Sequence, residues 1–579
     1  MHADHPPVLS LNAVRVLENR YLLKDKTGNV CETPAQLFRR VARAIGAAER
    51  HWGSEERCNY WEHRFLALMN SLKFLPNSPT LMSSGTPEGQ LSACFVLPVD
   101  DRIEATSATL KLATLIQQGG GGTGYNFSRL RAQRVESHTL EATDGPVSVM
   151  KLFDTNTEHV RQTGKRRGAN MGILNIDHPD IEEFISSKLR PGDIRNFNIS
   201  IGISDRFMET LIRNGTWNLI HPETRHVARI VQATALWNAI IQNAWRSGDP
   251  GLIFMDRIKE HNPTPALGSI EATNPCGEVP LLPYESCNLG SLNLSKFVLS
   301  NSHRIPEIDW SGLSKSVSTA VRFLDNVIEV NHYASPKIKA IVQGNRKVGL
   351  GVMGWAEMLC LLDIPYASGD AVTLGEKIMS FIEEKSMVSS QSLARERGTF
   401  NNWSKSVYFP DRALRNATRT SIAPTGTLSI IADTSASIEP FFALAYKRSH
   451  VLQHETLNEI NRCLIRYCKH HGLNLTDIMR SISRTGWLEE VDSIPTEVKE
   501  RFRTALQIAP SWHLRHQQAF QKHTDNAVSK TVNLPRQSMP TDVNFIFKTA
   551  WEMGLKGITV YRLGSREDQV LTPGTDGSF

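Results

Sequence analysis

The chain has 579 residues, of which 40% are hydrophobic and 21% charged, so it can bury a large core and is longer than one simple domain requires. Lysine and arginine total 65 against 59 acidic residues, a net charge of +6 that suits anionic ligands such as nucleotides but falls short of a nucleic-acid-binding composition. The N-terminus lacks the basic flank and apolar run of a signal peptide, and the eight cysteines do not cluster like a secreted disulfide scaffold. These features argue against export and predict a cytoplasmic protein.

The first part of the chain, residues 8 to about 75, has the apolar spacing of helices. Leu37, Val41 and Ile45 recur at positions that share one helical face. From about Phe74 the pattern changes to short apolar runs separated by glycine, proline and asparagine. We therefore expect a helical N-terminal region followed by a different architecture.

Three short runs in this second part are predicted to be strands, at residues 94–97, 198–201 and 419–423. The segments between them are long enough for helices, and residues 103–118 have a helical pattern. This alternation predicts an α/β fold with a mixed or parallel sheet and helical crossovers.

Two other segments could be read as a membrane span and as a zinc site, respectively. The apolar stretch 348–364 is interrupted by three glycines and Glu357, so it predicts a buried helix rather than a membrane span. Cys463 and Cys468 lie five residues apart, without the tight spacing and second ligand pair of a structural zinc site. We interpret that pair as packing residues and predict no metal site.

Three glycine-containing segments have the composition of phosphate-binding or ligand-responsive loops. Residues 119–124 match no known nucleotide fingerprint, and a flexible connection without a ligand is an equal alternative. Residues 164–170 place three cations between glycines, although a solvated basic turn is the commoner explanation. Residues 423–429 offer hydroxyls and backbone amides at a predicted strand-to-helix junction, where a plain turn is again an equal alternative.

The most informative motif is Asn274-Pro275-Cys276-Gly277-Glu278, with Cys287 after it and Cys94 far before it. A single cysteine is usually a small buried hydrophobe, so the combination carries the argument. One thiol can form a thiyl radical, a carboxylate two residues later can take a proton, and two further thiols can supply electrons by forming a disulfide. The motif is therefore typical of a radical enzyme.

Many segments, in this order, resemble the ribonucleotide reductases, and most closely the adenosylcobalamin-dependent class II enzymes. The resemblance extends from about Phe74 to about Ser565. The matching segments are Leu75–Met82, Cys94, Gly119–Ser128, Gly164–Asn170, Asn274–Glu278, Cys287–Gly290, Gly349–Gly354, Ala423–Ser429, Ile438–Pro440 and Lys556–Arg562.

The resemblance implies a fold and a division of the chain. The fold is a ten-stranded α/β barrel of two five-stranded halves, with Cys276 on a finger loop inside it. Residues 1–75 would form the helical N-terminal region, 76–568 the catalytic barrel, and 569–579, rich in glycine and threonine, a mobile tail.

The resemblance also implies a role for each residue of the central motif. A radical derived from adenosylcobalamin would take hydrogen from Cys276, and the resulting thiyl would remove the ribose 3′-hydrogen. Glu278 would act as general base on the 3′-hydroxyl, and Asn274 would hydrogen bond to the substrate hydroxyls. Cys94 and Cys287 would become a disulfide as the 2′-hydroxyl leaves as water.

Substrate and effector contacts follow from the other matching segments. Ser78, Thr80, Thr425, Gly426 and Thr427 resemble the family's substrate contacts, the last three at the phosphates. Asp101, the loop near 119–124 and the basic loop with Lys165, Arg166 and Arg167 would bind a deoxynucleotide effector that selects the substrate base. A nucleotide-binding cone before the barrel is not expected, so we predict no overall shut-off by dATP.

The sequence also departs from the family pattern. No cysteine follows Cys468, whereas many relatives carry a C-terminal cysteine pair, so we expect an external thiol reductant or a separate subunit carrying such a pair. Ser437 stands where relatives often have glycine, and only Tyr561 lies where class I large subunits have a tyrosine pair. We expect a homodimer acting on ribonucleotides, with diphosphates favoured. The alternatives are a class I large subunit and a nucleotide-binding regulator without catalysis.

Overall fold

The N-terminal helices form because apolar faces and capping residues agree along the sequence. In the second helix, Leu37, Phe38 and Val41 are completely buried. Thr33 and Gln36 cap its first turn reciprocally, which satisfies backbone donors that the helix leaves unpaired. Three long helices in this region confirm the expected helical N-terminal part.

The computed structural model describes residues 6–133, 145–160, 168–190, 192–299, 306–449, 456–492, 494–566 and 569–575. Its α-helices are α1 Leu11–Arg20, α2 Pro34–Gly46, α3 Glu55–Asn70, α4 Ser78–Ser83, α5 Ile103–Gln118, α6 Gly145–His159, α7 Ile181–Ser186, α8 Asp205–Ile212, α9 Ala233–Ser247, α10 Met255–Glu260, α11 Trp310–Val330, α12 Pro336–Asn345, α13 Trp355–Leu361, α14 Gly369–Arg397, α15 Leu428–Ala432, α16 Arg462–His470, α17 Leu475–Thr485, α18 Thr496–Arg501, α19 Pro510–Gln521 and α20 Pro540–Glu552.

The strands alternate with these helices from residue 74 onward. They are β1 Phe74–Pro76, β2 Cys94–Val96, β3 Gly122–Asn126, β4 Asn170–Asn175, β5 Phe197–Ile203, β6 Thr216–Ile220, β7 Val227–Gln232, β8 Gly251–Phe254, β9 Ala272–Thr273, β10 Pro280–Leu281, β11 Ser286–Asn293, β12 Val298–Leu299, β13 Glu307–Ile308, β14 Val348–Met353, β15 Ala445–Arg448, β16 Leu457–Ile460, β17 Thr531–Leu534, β18 Gly557–Arg562 and β19 Leu571–Pro573.

The main sheet contains ten strands: nine form two halves of parallel strands, and β1 pairs antiparallel with β11. In one half β2, β3, β4, β5 and β8 are parallel neighbours. In the other half β11 pairs with β14 and β17 pairs with β18, both in parallel. The halves meet at two antiparallel junctions, β11 with β2 and β18 with β8. This arrangement confirms the expected α/β architecture with two halves.

The segment 419–423 fills the gap between β14 and β17 in the second half of the barrel. It makes single bridges to its neighbours rather than the regular pairing of a strand. Thr420 bridges to Leu350 of β14, and Ile422 bridges to Val528 shortly before β17, both in parallel. Hydrogen bonds therefore connect β14 to β17 through this segment, and the ten-stave barrel is continuous.

The segment 348–364 corrects one expectation, because it is a strand followed by a helix rather than one buried helix. Residues 348–353 form β14, and residues 355–361 form α13, with Gly354 between them at φ +78°. An apolar run in a strand covered on both faces has no alternation, so periodicity alone does not separate it from a buried helix. Within the described residues, none of the helices is both long and apolar enough to cross a membrane.

Two smaller expectations concern the cysteine pair and the tail. Cys463 and Cys468 are buried on α16 in an apolar cluster, as expected for packing residues. Leu571–Pro573, inside the region predicted to be a mobile tail, pair antiparallel with β15. Residues 576–579 lie outside the described residues.

A buried group of charges joins the N-terminal helices to α11 and α14; we call it the ionic cluster. Arg322 and Arg397 both contact Glu49, at 2.7 and 2.5 Å, and Arg397 also reaches Asp325 at 2.8 Å. Trp52 stacks on Arg397 with its ring centroid 4.0 Å from the guanidinium carbon. The cluster consists of Glu49, Asp325, Glu329, Glu396, Arg57, Arg322, Arg346, Arg397 and Arg415.

The arginines hold the cluster's carboxylates in the charged form. Burial raises the pKa of Glu49, but the hydrogen bond from Arg322 and the charges of Arg397 and Arg322 outweigh it and bring that pKa down to about 2. For Asp325, burial likewise raises the pKa, and the charges of Arg346, Arg415 and Arg397 bring it below the ordinary value. The cluster is thus a set of five arginines and four carboxylates whose charges largely compensate one another at the junction of the two regions.

Candidate active site

The central motif forms the end of a short hairpin between β9 and β10. The Gly277 N–H donates to the Asn274 carbonyl at 3.0 Å and closes a tight turn, and Gly277 has φ +82°, which favours glycine. The Asn274 side chain also accepts the Val279 N–H at 3.0 Å. Asn274 therefore fixes both sides of the turn that carries Cys276.

The hairpin contacts both halves of the barrel. On one side Asn198 of β5 donates its side-chain amide to the Pro275 carbonyl at 2.8 Å. On the other side the Glu278 carbonyl accepts the Ala527 N–H and the Ser421 hydroxyl, each at 2.9 Å. These bonds place the hairpin inside the barrel, as expected for the finger loop.

Two glycines of the glycine-rich segment, Gly122 and Gly124, serve this packing. A Cβ on Gly124 would overlap the Thr273 carbonyl oxygen, and one on Gly122 would come within 2.7 Å of Pro275. Residues 121–124 are buried, and 122–124 belong to β3. This part of the glycine-rich segment is therefore neither a flexible connection nor an open ligand loop; it lets the hairpin approach the strand.

Cys276 and Glu278 differ in exposure although only one residue separates them. Cys276 is exposed at the turn, whereas Glu278 is 2% exposed. A molecule bound at this turn could contact both the accessible thiol and the buried carboxylate. The arrangement is compatible with hydrogen abstraction and proton transfer at neighbouring atoms.

Cys94 and Cys287 lie directly opposite each other on β2 and β11. Opposed residues of antiparallel strands have Cα atoms about 4.5–5.5 Å apart, within the range that a disulfide bridges. The Asn274 amide also donates to the Cys94 sulfur at 3.1 Å, which ties this pair to the hairpin. The fold thus brings together all five residues of the predicted catalytic set.

Burial controls the acidity of one of these thiols. It raises the pKa of Cys287, an effect that the nearby Lys347 cation opposes and the carboxylates of Glu285 and Glu278 reinforce. Cys287 is therefore a neutral thiol at rest in an apolar cluster that also contains Cys94.

The predicted substrate contacts lie in two places. Ser78 is half-buried and shares a hydrogen bond of 2.7 Å with the Tyr21 hydroxyl. Thr80 is completely buried, and its hydroxyl bonds to the Asn77 side chain and the Leu91 carbonyl. The side chain of Thr80 therefore supports the local fold and does not present its hydroxyl at a surface.

The second group, Thr425 to Thr427, forms a turn immediately before α15. Thr425 has φ +49°, and its hydroxyl accepts the Ser437 N–H at 2.8 Å. Gly426 is exposed, and Ser437 has φ +47°, a conformation that explains a glycine in relatives. The turn presents an exposed backbone at the expected strand-to-helix junction.

A cavity of about 690 Å³ opens beside this turn, a size typical of small-molecule and cofactor sites. Its walls include Gly426, Glu439, Tyr446 and Tyr561, and Asn12 of α1 also reaches it. Gly426 follows Ile422 by four residues, at most about 14 Å of extended chain, and Ile422 adjoins the strand segment that anchors Glu278. The cavity is therefore close to the hairpin.

Comparison with known families agrees with this geometry. The family described as "Ribonucleotide reductase, barrel domain" matches residues 92–561, and "Ribonucleotide reductase, all-alpha domain" matches residues 8–89. The chain belongs to the ribonucleotide reductases. Their barrel and all-alpha domains correspond to the barrel and N-terminal helices described above.

Individual ribonucleotide reductases are similar over almost the whole chain. The vitamin B12-dependent ribonucleoside-diphosphate reductase of Thermoplasma acidophilum is 46% identical, over 98% of this chain and 80% of that protein. The enzyme of the same description from Mycobacterium tuberculosis is 46% identical, over 97% of this chain and 81% of that protein. The solved structure of the class Id ribonucleotide reductase alpha subunit of Actinobacillus ureae is 24% identical with a TM-score of 0.78, covers 97% of this chain and 98% of that one, and shows the shared fold.

The predicted effector residues are only partly described. Asp101 lies two residues before α5 and pairs with the Arg131 guanidinium at 2.5 Å. Lys165, Arg166 and Arg167 lie outside the described residues. An effector role for these four residues of the reductase therefore stays a prediction.

Several residues around the reductase hairpin were not predicted as site residues. Asn198 lies in a predicted strand, where a polar residue in an apolar run was an unused signal. Ser421 and Lys347 gave no local signal, because their proximity to the site results from the barrel topology.

Proposed function

We propose that this chain is a class II enzyme that reduces ribonucleoside diphosphates to 2′-deoxyribonucleoside diphosphates with adenosylcobalamin. The observation that carries the proposal is the cysteine pair Cys94 and Cys287, opposed across two strands and linked through Asn274 to the turn bearing Cys276. The substrate class and the cofactor follow from the two relatives at 46% identity, both described as B12-dependent diphosphate reductases.

Adenosylcobalamin, when bound, supplies the radical chemistry that removes a hydrogen atom from the Cys276 thiol. The Cys276 thiyl then takes the 3′-hydrogen of the ribose, while Glu278 accepts the 3′-hydroxyl proton. Cys94 and Cys287 provide two protons and two electrons, the 2′-hydroxyl leaves as water, and the two sulfurs join. Cys276 returns its hydrogen to C3′, so each turnover converts two thiols into one disulfide.

The cavity beside the 425–427 turn is the proposed cofactor site. A corrin has apolar faces and peripheral amides, so it needs aromatic surfaces together with hydrogen-bonding side chains. Phe442 and Tyr446 supply the first, and Ser429 and Asn461 supply the second. These lining residues fit the group, and we assign them to hold it.

Substrate and effector sites complete the proposal. The exposed backbone of Gly426, with Thr425 and Thr427, would bind the substrate phosphates. Asp101 and the basic loop 165–167 would bind a deoxynucleotide effector. The enzyme would act as a homodimer, and an external dithiol or a separate subunit would reduce the disulfide.

The test is deoxynucleotide formation from a ribonucleoside diphosphate by the purified chain with adenosylcobalamin, excess dithiothreitol and a deoxynucleotide effector. Cys276→Ser is compared with Cys31→Ser, a matched change at another exposed cysteine. We expect product with the unmodified chain and Cys31→Ser, and none with Cys276→Ser. Product without cobalamin would contradict the class II assignment, and equal activity of Cys276→Ser would contradict the thiyl mechanism.

A further inference from the structure

Three side chains on adjacent strands lie side by side on the inner face of the barrel. Cys94 of β2 is opposite Cys287 of β11. On the other edge of β11, Asn288 is in register with Val348 of β14. Extending that parallel register by one residue places Lys347 next to Cys287. Residues in register across neighbouring strands point to the same face, so Cys94, Cys287 and Lys347 form a row.

The ammonium group of Lys347 is held in this row by a buried carboxylate. Its Nζ lies 2.7 Å from Glu285 Oε2, and both side chains are 1% exposed. Glu285 precedes Cys287 by two residues and therefore lies on the same face of the sheet. A buried pair of this kind is expensive to desolvate, and replacing it with apolar side chains often costs nothing in stability. Its position beside a reactive thiol therefore suggests a role beyond folding.

Neutral groups fix the carboxylate of this pair. The Asn345 side-chain amide donates to Glu285 Oε1 at 2.6 Å, and the Leu282 N–H donates to Glu285 Oε2 at 2.7 Å. The Glu285 carbonyl in turn accepts the Val96 N–H of the strand that carries Cys94. Glu285 is thus tied to both strands of the cysteine pair and has little freedom to move away.

We propose that Lys347, held by Glu285, is a positioning residue that stabilises the thiolate of Cys287 when the disulfide is reduced. The inference rests on the proposed function, in which each turnover leaves a Cys94–Cys287 disulfide. A dithiol reductant attacks the Cys94 sulfur, the Cys94–Cys287 bond breaks, and its electron pair leaves on Cys287. The second thiol of the reductant then displaces Cys94, so the reductant becomes a disulfide and the protons finish on Cys94 and Cys287.

A cation at this position meets a specific need of the site. Burial opposes formation of the Cys287 thiolate, and among the groups that act on this thiol Lys347 favours the charged form. A small cavity of about 10 Å³, with both apolar and polar side chains in its walls, adjoins Lys347. The titratable and charged groups around Cys287 and Lys347 are Cys94, Glu278, Glu285, His261, Asp525 and Lys556.

The test separates the charge of the pair from its hydrogen bond. The double variant Lys347→Gln/Glu285→Gln keeps a neutral hydrogen-bonded pair, and Lys347→Arg keeps the cation. Each protein is oxidised to the Cys94–Cys287 disulfide with diamide, and its reduction by dithiothreitol is followed at peptide level by alkylation and mass spectrometry. Neither substrate nor cobalamin is needed.

We expect the double variant to be reduced about two- to fivefold more slowly at pH 7.5, because loss of the Lys347 cation raises the pKa of the Cys287 thiol more than loss of the Glu285 carboxylate lowers it, and exchange rates follow part of that net shift. Lys347→Arg keeps the cation and should stay within about 1.5-fold of the unmodified chain. In a Cys94→Ser background, alkylation of Cys287 at one fixed alkaline pH should be slower in the double variant and unchanged in Lys347→Arg, a difference that follows the charge at position 347.

Equal reduction rates for the folded double variant and the unmodified chain would overturn the inference. If the double variant does not fold, Lys347→Met/Glu285→Leu replaces it, with the same rates expected. Failure of the proposed function is read separately, as absence of cobalamin-dependent product from the unmodified chain. The exchange measurement remains valid in that case because it depends only on the two cysteines and Lys347.

Discussion

The ionic cluster and the active-site hairpin both lie largely inside the protein, with Cys276 exposed at the hairpin turn, but they are held in opposite ways. In the cluster, side-chain charges contact one another directly, as in the pairs of Arg397 with Glu49 and Asp325. In the hairpin, backbone carbonyls and neutral amides do the holding, as at Pro275 and Asn274. These hydrogen bonds of the hairpin all join neutral groups, and the Asn274 amide also contacts the Cys94 sulfur.

The largest effect expected from breaking this contrast is on stability, in the ionic cluster. Asp325→Asn removes a buried charge that contacts three arginines and leaves them with Glu49, Glu329 and Glu396 as acidic partners. The free energy of unfolding should therefore fall by about 3–5 kcal/mol. Chemical denaturation monitored by circular dichroism measures this loss. Activity per folded molecule should remain unchanged.

The control for Asp325→Asn is Glu376→Gln, at an exposed pair with Lys522, where little change is expected. A stability loss for Asp325→Asn no larger than that of the control would show that the cluster does not act as a compensated unit.

Gly124→Ala tests the other member of the comparison, the active-site hairpin, and should lower activity. The new methyl would overlap the Thr273 carbonyl and displace the hairpin, and a shift of about 1 Å at a reacting group costs about 10²-fold in rate. Deoxynucleotide formation per folded molecule should fall by about that factor. Gly369→Ala, where the methyl meets open space, is the matched control. Full activity in Gly124→Ala would mean that the hairpin tolerates displacement.

The pH dependence of unfolding tests the contribution of one carboxylate of the ionic cluster, Glu49. The pKa of Glu49 lies at about 2, below its ordinary value of 4.5, so its stabilisation is complete above about pH 5.5 and is lost as the pH falls towards about 2. Glu49→Gln should therefore be less stable than the unmodified chain by roughly 2–3 kcal/mol at pH 7, and the difference should shrink below pH 4.5. Urea unfolding at a series of pH values measures it; a constant difference from pH 6 to pH 3 would contradict the pairing.

The smallest expected effect concerns the turn itself. Gly277 has φ +82°, and no atom lies within 4 Å of the place that an alanine methyl group would take, so Gly277→Ala adds backbone strain without a steric clash. We expect a loss of about 1 kcal/mol in unfolding free energy. Gly277→Asn should lose less, because asparagine tolerates this conformation better. Equal losses for both variants, measured by thermal unfolding, would argue against strain as the cause.

The sequence predicted elements whose signals are local. Residues 103–118 have helical periodicity and form α5 with those bounds. Residues 348–353 are apolar on both faces because β14 is a buried parallel strand, and this removed the alternation that identifies strands. Local pattern therefore predicted helix existence well and confused a buried strand with a helix.

Some features of the site could not be predicted from local sequence patterns because they depend on packing between segments far apart in the chain. The glycines at 122 and 124 are needed because the Thr273–Pro275 segment, about 150 residues later, packs against them. The opposition of Cys94 and Cys287 came from the family resemblance, since their separation in sequence gives no information on strand pairing. Lys347 and Ser421 belong to the site only through the order of strands in the barrel.

The opposed positions of Cys94 and Cys287 have a mechanical consequence. Because neighbouring strands already hold the two sulfur-bearing residues at bridging separation, storing and releasing two electrons requires side-chain rotation and hardly any change in the barrel. The oxidised and reduced forms of the protein would then have nearly the same surface shape for the external reductant that binds them. A reductant would have to distinguish the disulfide form from the dithiol form by the reactivity of the sulfurs rather than by the shape of the protein.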